Sequence, residues 1–173
     1  NGDTPTPQTG ACTLEVAVGP LPIGTVQGAV GAMDVGSTHR SPFAPPTGNS
    51  SGRTVVVRGV VTEKTLAKAS NGDPQNGFFL QSTAASTDGD PLTSDGIFVF
   101  MGRFDDLIDG YVPQVGDDVV ISGRVTEFFS YTELSSARLV SRLGSMLDVD
   151  AVAPAVAAEP PDDLADSERY WER

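Results

Sequence analysis

Apolar residues cluster in short β-branched or aromatic runs separated by polar, Gly- and Pro-rich stretches, and the clearest run begins just after residue 53. Thr54-Val55-Val56-Val57-Arg58-Gly59-Val60-Val61-Thr62 is β-branched almost throughout, with one glycine where a strand can bend. Residues 64–76 are polar, and Asn71-Gly72-Asp73-Pro74 is strong turn chemistry. Gly77-Phe78-Phe79-Leu80-Gln81 predicts a second strand, residues 87–95 a loop, and Gly96-Ile97-Phe98-Val99-Phe100-Met101 a third strand. In residues 103–110 the period changes. Phe104, Leu107 and Ile108 fall at i, i+3 and i+4 with Gly110 behind them, which predicts a short helix or turn. Residues 118–128 predict a long fourth strand with an internal Gly123, and residues 132–143 a fifth.

Three strands, a short helix and two strands is the order of an all-β, five-stranded OB-fold Greek-key barrel, whose helix lies between strands 3 and 4. Other small barrels share the strand pattern, and the position of the helix favours the OB type. Gly59 and Gly123 suit the coiled strands such a barrel needs. The organisation expected is an N-terminal segment, residues 1–52, packing on the barrel; the barrel itself, residues 53–143; and an acidic Ala/Pro linker with a terminal helix, residues 144–173. Within the first segment, residues 1–13 predict an extended arm, Thr25-Val26-Gln27 a short strand, and residues 38–51, with three prolines, a draped loop.

Composition agrees with a turn-rich β domain: 39% hydrophobic residues with 19 Gly and 13 Pro in 173 residues. No apolar run approaches the ~18 residues of a membrane span. The net charge of −12 opposes phosphate binding in general, but it is unevenly placed. Between Arg53 and Leu143 there are 8 Lys/Arg against 12 Asp/Glu, whereas the remainder holds 3 against 11. A single cysteine, Cys12, excludes a disulfide within the chain. The polar, Pro/Thr-rich start at Asn1 reads as a mature end left by signal cleavage, and so as a secreted, extracellular protein. Asn49-Ser50-Ser51 is a formal glycosylation sequon, a triplet that occurs often by chance.

The ordered blocks carry a resemblance. Val55-Val56-Val57-Arg58-Gly59-Val60-Val61-Thr62, Gly77-Phe78-Phe79-Leu80-Gln81, Asp88-Gly89-Asp90-Pro91 and Thr93-Ser94-Asp95-Gly96-Ile97-Phe98-Val99-Phe100 are followed by Val115-Gly116-Asp117 and Val125-Thr126-Glu127-Phe128 before Thr132-Glu133-Leu134-Ser135. With Val26-Gln27-Gly28, Ser41-Pro42 and Glu168-Arg169-Tyr170, the set resembles the N-terminal OB-fold region of ExeM/NucH-type extracellular bacterial endonucleases, over roughly residues 12–173. The resemblance implies a non-catalytic module of a secreted nuclease, whose metal-dependent catalytic domain lies further along the parent chain.

Candidate chemistry is sparse. Phosphodiester cleavage needs carboxylates around a divalent ion and a base, whereas this chain has one histidine, His39, in a Pro-rich loop. We therefore expect no enzymatic activity of this chain. Asp88, Asp90 and Asp95 place three hard oxygen donors within eight residues; one reading is a Ca2+ site and the other an Asp-rich turn bonding its own backbone. An OB barrel usually binds nucleic acid on strands 2 and 3 with aromatics and nearby cations, here Phe78, Phe98 and Phe100 with Arg58, Lys64 and Arg124. Since strand neighbours face opposite ways, one of Phe78 and Phe79 points outward unless a flank covers it. Single-stranded nucleic acid is thus the first expected partner. A homo-oligomer formed through the long N-terminal arm is the second, as a self-associating module at the cell surface.

Overall fold

β1 (Ser51–Lys68) organises the molecule, because it is long enough to serve two neighbours. In the computed structural model, which describes residues 19–29, 40–47, 51–68, 71–128 and 131–154, its first half pairs antiparallel with β4 (Asp118–Phe128). Its second half pairs antiparallel with β2 (Pro74–Gln81). Val60 is the handover, opposite Asp118 on one side and Gln81 on the other. The strand coils tightly there, and a Cβ on Gly59 would stand 2.9 Å from the Gln81 carbonyl oxygen and 3.1 Å from Ile23 Cδ1. Glycine is the residue that permits so close an approach.

β2 pairs antiparallel with β3 (Gly96–Gly102), and β4 with β5 (Tyr131–Gly144). A short parallel seam, Phe98↔Glu133 and Val99↔Leu134, joins β3 to β5 and closes the five strands into a ring ordered β1-β2-β3-β5-β4. The protein is therefore all-β, with a barrel-like closed sheet. Alternation sends Val55, Val57, Phe78, Leu80, Ile97, Val99, Val119, Ile121, Val125 and Leu134 to the interior, each at most 4% exposed. At ~1.5–3 kcal/mol per buried large aliphatic or aromatic side chain, these rows are the main source of stability.

α1 (Ile23–Gln27) occupies the stretch whose Thr25-Val26-Gln27 predicted a strand. Pro22 precedes it, Gly28 ends it at φ 85° with its N–H donating to Gly24 O, and Ile23 and Val26 lie three apart on its buried face. β-branched composition favoured a strand; burial of that face against the core overrides it. Just upstream, the Leu21 N–H donates to Val56 O at 2.7 Å, on the β1 backbone ahead of the β2 pairing.

The helix expected between strands 3 and 4 is absent. Residues 103–110 form turns, and Leu107 N–H donates forward to Tyr111 O at 2.8 Å, opposite in direction to a helical bond. The apolar stripe also splits: Leu107 is buried, whereas Phe104 is 54% and Ile108 57% exposed. Asp109 competes for the local backbone, accepting from Tyr111 N and, across the gap, from Leu139 N at 2.7 Å. The polar stretch 64–76 differs as well, since β1 continues to Lys68 and β2 begins at Pro74. That end of the hairpin overhangs the core, with Leu66 66% exposed, so no buried row marks it as strand.

After β5, Leu147 N bonds Gly116 O, and a single turn, α2 (Val149–Val152), ends with Ala153 buried. The expected arm at residues 1–13, Cys12, His39, Asn49, Ser50 and the terminal helix at 162–173 lie outside the described residues.

Candidate functional site

Phe79 and Phe98 lie directly opposite each other on β2 and β3, half-buried, with ring centroids 5.0 Å apart. Their neighbours Phe78, Ile97 and Val99 point into the core, so this pair belongs to the outer face of the sheet. The Phe98 ring lies against the β2 backbone at Gly77: an added Cβ there would stand 2.5 Å from Phe98 Cε2, nearer still to Cζ, and 2.6 Å from Val99 O. Tyr131, the first residue of β5, extends the row with its ring centroid 6.2 Å from that of Phe98. The result is a tilted run of three aromatics across β2, β3 and β5, a geometry on which flat rings can stack.

Glu133 lies two residues along β5 from Tyr131, on the same side of the strand. It pairs with Phe98 across the parallel seam and with Thr126 on β4, and is 6% exposed. Burial pushes its carboxyl up to about 7, with a smaller contribution from the nearby Glu127. Glu127 is fully buried; its Oε1 accepts from Ser41 N at 2.8 Å and Thr132 Oγ1 at 2.9 Å, which ties residues 40–47 to the end of the ring.

Beyond Val99 and Leu134, β3 and β5 no longer pair, and the space between them opens into a groove of about 560 Å³. Phe100, Met101, Phe104, Leu107, Ile108 and Ala137 give it apolar walls, with Asp106, Ser135 and Ser136 as polar points. A polar hollow of about 250 Å³ adjoins it, sharing Ile108 and Ser136 and bearing Arg124 and Arg138. Ser136 and Ala137 form a bulge against Gly123 of β4, with Ser136 at φ 51°. Bulges of this kind redirect side chains and are common beside functional sites.

The candidates named from the sequence divide in two. Phe98, Phe100 and Arg124 reach this outer region, with Phe98 in the aromatic row and Phe100 and Arg124 in the groove and hollow. Phe78 does not: it is fully buried, and Phe79 is the outward member of the pair. Arg58 is committed to Asp118 through Nε–Oδ1 at 3.0 Å and Nη2–Oδ2 at 2.7 Å, and Lys64 donates to Asp105 O at 3.0 Å. Tyr131 falls in the turn that the sequence predicts ahead of the fifth strand but is the first residue of β5, and Arg138 lies within that strand; nothing local marks either as a site residue.

In the acidic loop, Asp88 Oδ1 accepts from Asp90 N and from Thr93 Oγ1, and Asp90 Oδ1 accepts from Leu92 N at 2.9 Å. These bonds are those of an Asx-turn sequence. Among the described residues, no three His, Cys, Asp or Glu side chains come together as metal ligands. No helix among them is long and apolar enough to cross a membrane.

Fold and site together define an all-β protein with a closed five-stranded sheet, an outer aromatic row and an adjoining groove. No family model, curated protein or solved structure matches the chain.

Proposed function

We propose that this chain is a non-catalytic OB-type module that holds single-stranded nucleic acid across the outer face of β2 and β3. We place it as an accessory region of a secreted nuclease of the kind its sequence blocks resemble. The observation that carries the proposal is the row Phe79–Phe98–Tyr131, three aromatics kept out of the core on those strands. Base–aromatic stacking is worth ~1–3 kcal/mol per base and tolerates any sequence. The ring order β1-β2-β3-β5-β4, parallel only at β3/β5, supports the OB assignment. That assignment rests on strand order alone, since turns replace the expected helix between β3 and β4.

The acidic balance constrains how such binding works. With a net charge of −12, affinity is expected to come from stacking more than from counterion release. Fluorescence anisotropy of a labelled single-stranded oligonucleotide at low salt tests this. Micromolar or tighter binding is expected, weakened about fivefold or more by Phe79→Ala or Tyr131→Ala, the loss of one stacked base. An unchanged anisotropy at low salt, or variants as tight as the parent, would overturn the proposal.

A further inference from the structure

Arg124 and Arg138 stand at the polar end of the groove, and neither guanidinium has a hydrogen-bond or ion-pair partner among the described residues. Arg58 and Arg142, by contrast, are both held by carboxylates. On a chain with net charge −12, two arginines that no described carboxylate neutralises, beside an apolar slot, form a local site for an anion attached to an apolar group. We propose that the groove and hollow together bind a nucleoside monophosphate unit, either the phosphorylated end of a single strand or a free mononucleotide. The base enters the slot and the phosphate meets Arg124 and Arg138. The strand-end form rests on the function proposed above.

The chemistry of the walls selects this occupant. A phosphomonoester carries about −1.5 to −2 charges at pH 7, which matches two guanidiniums better than a carboxylate or an internal phosphodiester does. Guanidinium forks also match phosphate oxygens geometrically. The slot, walled by Phe100, Phe104, Leu107 and Ile108, suits a flat heterocycle. Asp106, the acid on its wall, repels a phosphate but accepts from an exocyclic amine, as carboxylates do from cytosine N4. The unit is therefore oriented, with its base toward Asp106 and its phosphate toward the arginines. The bulge at Ser136 builds the junction: by inserting a residue opposite Gly123 it places Ser136 on the wall common to both spaces.

Calorimetric titration with cytidine 5′-monophosphate, uridine 5′-monophosphate, cytidine and inorganic phosphate at low ionic strength tests the pocket directly. Cytidine monophosphate is expected to bind about tenfold or more tighter than cytidine or phosphate alone, and tighter than the uridine nucleotide. The double substitution Arg124→Glu with Arg138→Glu should abolish the heat, Asp106→Asn should erase the preference for cytidine, and Lys68→Glu, a single charge reversal (half the charge change of the double variant) on the overhanging hairpin, should alter nothing. Phosphate binding as well as the nucleotide, or a double variant within twofold of the parent, overturns the proposal. Oligonucleotides with 5′-phosphate and 5′-hydroxyl ends separate the two readings. Strand binding that ignores both the end group and the arginines, without nucleotide binding, sinks the pocket and leaves the aromatic face standing. Nucleotide binding without any strand binding leaves the pocket standing for free nucleotides and sinks the strand reading.

Discussion

Glu133 on β5 lies opposite Phe98 on β3 at one of the two residue pairs that close the sheet. Glu133, only 6% exposed as a residue, thus sits in the shortest seam of the ring. Burial there, reinforced by the nearby Glu127, raises its proton affinity and pushes its pKa up to about 7.

This makes stability depend on pH in a defined direction. The folded state binds the proton more tightly than the unfolded chain, whose carboxyl titrates near 4.5. The stabilisation is complete below that value and is lost as pH rises through about 7, at a cost on the order of 3 kcal/mol. Urea denaturation at pH 5 and pH 8 should show a lower midpoint at pH 8. In Glu133→Gln, which cannot ionise, the difference between the two pH values should shrink by most of that amount.

Gly77→Ala should destabilise the protein by ~1–3 kcal/mol, the usual cost of overpacking, because its new methyl meets both the Phe98 ring and Val99 O. Denaturation measures the loss. Phe98→Ala added to Gly77→Ala should recover part of it, since only the contact with the Val99 carbonyl remains, and full additivity would count against ring contact as the cause.

Asp117, fully buried, accepts from Tyr111 OH at 2.6 Å and Arg142 Nη2 at 2.5 Å. Burial pushes the Tyr111 hydroxyl upward, reinforced by its bond to Asp117, so it stays a donor at any physiological pH. Tyr111→Phe should cost about 1.5–3 kcal/mol, the range for hydrogen bonds to charged groups, read as a shifted urea midpoint with an unchanged slope.

Asp88 and Asp90 spend oxygens on their own loop. Millimolar Ca2+ should therefore leave the melting temperature where it is. A rise that grows with Ca2+ concentration and disappears in Asp88→Asn would instead establish a binding site by linkage.

Local chemistry alone marked out several elements. β4 reads directly from residues 118–128, because Val119, Ile121 and Val125 recur on one face with β-branched neighbours, and the Phe- and Ile-rich cores of β2 and β3 read for the same reason. The overhang of β1 and β2 did not, since strand pairing beyond the core leaves no hydrophobic period.

By itself, then, the sequence determined an all-β protein of five strands, the acid-rich flanks, and aromatics on the second and third strands, all properties of residue type and a period of two. Tertiary structure decided which aromatic faces out. It turned residues 23–27 into a helix against the core and broke the apparent helix at 103–110 into turns, where Asp109 and Tyr111 bond in other directions. It also brought Arg138 to Arg124 across a bulge that no local signal announces. Register and ring closure couple residues far apart in the chain, and such pairings depend on every strand being in place at once.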